Sequence, residues 1–174
     1  MIKEVSLAVL TALNMNIQDA TISDYSKATQ TINDQKIQSF VKHKNVHLTA
    51  QQKTEIQQLA NKTLEVWSTF EQINKNILLN NFEKWIVEDS EKLCDTIDKV
   101  MLKAKLGIDF FSKISKQYRD YPSISNKVKE VVKISKEIYN FTLPYKERSN
   151  AARDTLSFLQ EFIPANREAL EALG

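Results

Sequence analysis

His43 and His47 are the only histidines in the chain, and they stand four residues apart. On a helix that spacing puts both imidazoles on one face, as paired metal ligands often are. Zinc-peptidase chemistry on such a pair needs a glutamate directly after the first histidine, and Lys44 stands there instead. Di-iron carboxylate sites in helical bundles need a glutamate three residues before each histidine; Phe40 and Lys44 hold those positions. Lys42 and Lys44 flank His43 and would repel a dication. The pair therefore reads as solvated histidines near a helix end, and no metal or other cofactor is expected.

The remaining reactive side chains do not assemble into a catalytic set either. Asp89 is the one carboxylate near the middle of an apolar stripe, between Ile86 and Leu93; it reads as a cap or a bend rather than a general acid. Asn74 lies on the same apolar face as Trp67 and Ile77, where a buried amide fixes packing register. Cys94 is the single cysteine, so no intrachain disulfide forms and a reducing, cytoplasmic setting is expected. Gly107 and Gly174 are the only glycines, which excludes the glycine-rich loops that cradle phosphates and the nucleophile elbow of hydrolases. An enzyme is not expected.

A docking role remains. Formal charge is only +2 over 174 residues, but counting Lys and Arg against Asp and Glu gives +3 for residues 107–143 alone. Within the basic 113–136 region, Lys129, Lys133 and Lys136 share one helix flank, and Tyr118, Tyr121, Phe141 and Tyr145 fall near helix ends or loops. Exposed aromatics beside cations make protein-binding hot spots. These seven residues are the candidate interface. The same cations interleaved with tyrosines also suit single-stranded nucleic acid, but only four arginines occur in the chain, and Glu130 and Glu137 share the helix. Nucleic-acid binding is the weaker reading.

The elements that carry these residues read as helices throughout. Val5 to Met15 is the most apolar stretch and predicts a first helix; behind Lys3 it resembles the core of a secretory signal, but Glu4 and the lack of an A-x-A site favour a core or docking helix. Residues 16–24 read as a linker, and Ser23 or Asp24 as the cap of a second helix. Thr49 and Gln52 have the capping-box spacing, followed by Ile56, Ala60, Val66, Trp67, Phe70, Ile73 and Ile77 on one helical face. Asn80-Asn81 is expected to interrupt this helix, giving a hairpin whose second arm carries Phe82, Trp85, Leu93, Ile97 and Val100. Gly107 reads as a helix stop in left-handed geometry, with Asp109 capping a short helix. Tyr121-Pro122 forces a break, after which Ser123 caps a helix ending at Leu143-Pro144. A last long helix carries Ala152, Leu156, Leu159, Phe162 and Ile163 inward, and Pro164 opens a final turn.

The expectation is thus a single all-α domain over residues 1–174. It is a compact bundle of about six or seven mostly antiparallel helices with a central hairpin around residues 49–106. The function expected is non-catalytic binding of another protein, as a regulator, inhibitor or adaptor, with self-association also open. The alternative is a membrane-active protein that uses the apolar N-terminal segment.

Overall fold

The computed structural model describes residues 20–31 and 48–173. The segment Val5–Met15 and the two histidines lie outside those residues. Every element described is helical, with no strand among the described residues. There are three: α1 (Ile22–Thr31), α2 (Ala50–Gln117) and α3 (Pro122–Leu173). The expectation of about six or seven helices is corrected, among the described residues, to three, two of them long rods.

Each start has a local cause. α1 opens two residues before the expected cap: Thr21 Oγ1 accepts from the Asp24 amide at 3.2 Å, and the Asp24 carboxylate accepts from the Thr21 amide at 3.0 Å. At α2 the capping box forms as the spacing predicts, with Thr49 Oγ1 accepting from Gln52 N and Gln52 Oε1 accepting from Thr49 N. Pro122 begins α3, where a missing N–H costs nothing. The Tyr121 carbonyl accepts from both Ile124 N and Ser125 N at 3.0 Å.

α2 is one rod only by hydrogen bonding. Asp89 sits at φ −158°, ψ 74° and divides it into a first arm, 50–88, and a second arm, 90–117. The Asp89 carboxylate accepts from Lys92 N at 3.0 Å and so caps the second arm. The break therefore falls at Asp89 and not at Asn80-Asn81. Both asparagines stay helical, and their side-chain amides donate to the carbonyls four residues back, Asn76 and Ile77.

Contacts between the arms run antiparallel. Trp67 lies against Gly107, about twenty residues on either side of Asp89, and farther out the Lys53 ammonium sits 5.1 Å over the Tyr121 ring. α3 then runs back along both arms. Ser135 touches Gly107, Lys146 pairs with Asp98 at 3.0 Å, and Arg148 pairs with Glu83. The shared core holds Ile56, Trp67, Phe70, Ile77, Trp85, Leu93, Ile97, Phe111, Val128 and Ile138. α1 packs on the first arm through Tyr25, whose ring lies 5.7 Å from that of Trp85.

Three expected stops are not stops. Gly107 is buried inside α2 with no positive φ. Its missing side chain serves close approach, since a Cβ there would meet Ser135 Oγ at 2.8 Å and Trp67 Cη2 at 3.3 Å. Pro144 and Pro164 lie inside α3. Both are exposed, as are Asn140 and Gln160 four residues before them, so water can reach the carbonyls that the prolines leave without a donor.

Candidate functional site

The structure separates the seven residues proposed from sequence. Tyr118 is 1% exposed and belongs to the core, which corrects its assignment to an interface. It sits at the end of α2 where the chain turns into α3, and burial raises its phenol pKa above the usual value. Tyr121 is half-buried beneath Lys53 and accepts from the Leu48 amide at 3.3 Å. Phe141 and Tyr145 are half-buried and stack at 5.4 Å, with Tyr145 edge-on to Phe82 at 4.9 Å. About 35 Å of helix separates Tyr121 from Tyr145.

Lys129, Lys133 and Lys136 are all exposed. Lys129 joins Lys116 and Arg119 around an open hollow at the α2–α3 turn, over the Ser115–Ser125 hydroxyl pair at 3.2 Å. The hollow is basic, but its buried hydroxyls are bonded to protein: Ser125 Oγ also reaches the Ser115 carbonyl at 3.2 Å.

The other groups with possible chemistry are occupied structurally. Asn74 sits at the centre of a closed buried relay. The Tyr25 hydroxyl donates to Asn74 Oδ1, Asn74 Nδ2 donates to Thr142 Oγ1 at 2.9 Å, and that hydroxyl donates to the Ile138 carbonyl at 2.7 Å. The relay ties α1, the first arm and α3 together. It matches the register-fixing role expected of a buried asparagine, and burial drives the Tyr25 pKa up. Cys94 is buried. No three metal-ligating side chains come together among the described residues.

What sequence reading missed is the far end of α3. Its buried stripe follows an alternating spacing of four and three residues: Ile124, Val128, Val131, Ser135, Ile138, Thr142, Tyr145 and Ser149. All are buried except half-buried Tyr145. The same spacing continues in register through Ala152, Leu156, Leu159, Ile163, Asn166, Leu170 and Leu173. The arms of α2, however, turn at Asp89, level with the region just past Arg148. Beyond it α3 runs on for about twenty residues, or about 30 Å, and residues 154–169 are all exposed.

The consequence is an uncovered apolar face. Phe158 is 59% and Ile163 52% exposed, and Leu156, Leu159 and Phe162 are exposed beside them. With 100° per residue they span about 160° of the rod. Phe158 and Phe162 stack at 5.3 Å. The opposite face carries Arg153, Asp154, Glu161, Arg167, Glu168 and Glu171, a net −2. At the root of this free end an open apolar hollow of about 440 Å³ is lined by Ile86, Val87, Ala151, Ala152, Thr155 and Leu156. Val87, on the first arm, is 84% exposed. The four-three spacing was the available signal; read as one continuous seam, it shows that α3 is longer than the rods it packs on.

No helix among the described residues is long and apolar enough to cross a membrane. Comparison of the chain with protein-family models, with curated proteins and with solved structures finds no match.

Proposed function

We propose that this protein is a non-catalytic, cytoplasmic helical bundle that acts by binding another polypeptide chain, in the manner of a small regulator, inhibitor or adaptor, and that the free end of α3 is its contact face. One observation carries the reading. A seam that is buried or half-buried over eight successive positions, Ile124 to Ser149, continues into residues 154–169, all of them exposed, and contiguous apolar surface of that size marks interaction sites. An amphipathic helix of this kind docks by laying its apolar side into a groove.

The membrane alternative has less support. Helices that lie on bilayers carry Lys and Arg on the polar face, whereas four of the six charges beyond Asn150 are acidic. A photo-crosslinking amino acid at position 162, compared with one at exposed position 113, tests the proposal in native cells. Protein adducts from position 162 alone are expected. Equal labelling of the two positions, or adducts to lipid only, would overturn it.

A further inference from the structure

We infer that the chain bound by the free end of α3 is a second copy of this protein, the two ends pairing antiparallel about a two-fold axis near Pro164–Ala165. The inference rests on the docking role proposed above and names its partner. A two-fold interface needs one surface that is complementary to itself, and each copy carries both halves. One half is the apolar rod, ending in Leu173 at 85% exposure. The other is the hollow at the rod's root, where Val87 stands open beside Leu156.

An antiparallel mate centred near Pro164–Ala165 lies along the described rod, residues 154–173, with its residues near Leu173 beside the root at Leu156. Matching seam positions then sets Leu156 opposite Leu173 of the mate and Ile163 opposite Asn166. This register places Arg167 near Gln160 of the mate, so Arg167 does not face its own copy.

The area is sufficient for a reversible dimer. A large side chain presents roughly 200 Å² when bare, so the rod's six large apolar residues at 40–85% exposure offer about 600 Å² per copy. With both Val87 side chains the pair offers at most about 1,500 Å², within the range for specific interfaces. Interfaces of this size span a wide range of affinity, and the inference places this one in the micromolar range.

Sedimentation velocity on the full chain, from about 1 μM to about 500 μM, tests this. The expected result is monomer at the dilute end and dimer at the concentrated end. Leu159→Glu and, separately, Val87→Glu should each raise the dissociation constant at least about 100-fold. Both sites are exposed in the monomer, so far-ultraviolet circular dichroism should not change. A wild-type chain that stays monomeric throughout overturns the inference but leaves binding of a different protein standing. A dimer unaffected by either substitution overturns the inference, since it would form elsewhere, and likewise leaves binding of a different protein by the free end standing. A monomer whose residues 154–173 resist amide exchange until residues 1–19 are deleted overturns both, because the face would then be covered by its own chain.

Discussion

Replacing Gly107 by alanine opposes two effects of similar size, and the structure says which wins. Alanine in a helix interior is favoured over glycine by about 1 kcal/mol. Against this, the new Cβ would lie 2.8 Å from Ser135 Oγ, with Trp67 Cη2 at 3.3 Å on another side. Ser135 is fully buried, and its hydroxyl donates to the Val131 carbonyl at 2.8 Å. Relief therefore requires either shifting α3 or rotating the hydroxyl off its acceptor. Overpacking costs about 1–3 kcal/mol, and a buried hydroxyl left without a partner costs about the same. The expected net effect is destabilisation by up to about 2 kcal/mol, or up to about 8 °C in Tm for a chain of this length.

The sharper test is the double variant. Ser135→Ala removes the clashing oxygen and leaves Ser135 Cβ at 3.4 Å, ordinary contact. Alone it should change stability by less than about 0.5 kcal/mol, because Val131 O keeps its helical donor. Combined with Gly107→Ala it should recover wild-type stability or exceed it by up to about 1 kcal/mol, a coupling of about 1–2 kcal/mol in a urea-denaturation cycle. If Gly107→Ala stabilises by itself and shows no coupling to position 135, the second arm and α3 do not meet at Gly107, and the packing described is wrong.

Three further outcomes follow from the same contacts. Asp89→Ala removes the cap of the second arm and should cost about 1 kcal/mol in thermal unfolding, whereas Asp89→Asn should cost little. Tyr118→Phe removes a buried hydroxyl that has no partner among the described residues, so stability by urea titration should hold or rise by up to about 1 kcal/mol. Tyr25 and Tyr118 both have pKa values raised by burial above the ordinary 10.0; their contribution to stability should be level below pH 10 and fall above it, because the unfolded phenols ionise first. Tyr25→Phe should flatten that alkaline slope in pH-dependent melting curves.

Much of the architecture was legible in the residues. The Thr49–Gln52 box, the break at Tyr121-Pro122 and the apolar face from Ile56 to Val100 follow from local rules, and so do the cap at Asp89 and the buried Asn74. What misled was punctuation. Gly107, Pro144, Pro164 and Asn80-Asn81 are breakers by propensity, but tertiary context decides each. Gly107 answers a steric demand from Trp67 and Ser135 that exists only once three rods are packed. The prolines are tolerated because they face outward. The free end of α3 was invisible for a different reason: Leu156, Leu159 and Ile163 have the same spacing whether or not anything covers them. Their exposure depends on where α2 turns, and a turn placed by one residue, Asp89, sets how much of α3 outruns it. Likewise Tyr118 looked like a loop aromatic because it closes a helix, yet the turn folds it inward.

The central claim is that the last twenty residues of α3 form an apolar rod that no other described residue covers. Amide hydrogen exchange over residues 154–173, followed in the full chain at about 1 μM and again at several hundred micromolar, tests it most directly. Exchange should be fast in the dilute sample, far faster than in residues 124–149, and slow markedly in the concentrated one. Protection equal to that of residues 124–149 at both concentrations would contradict the account.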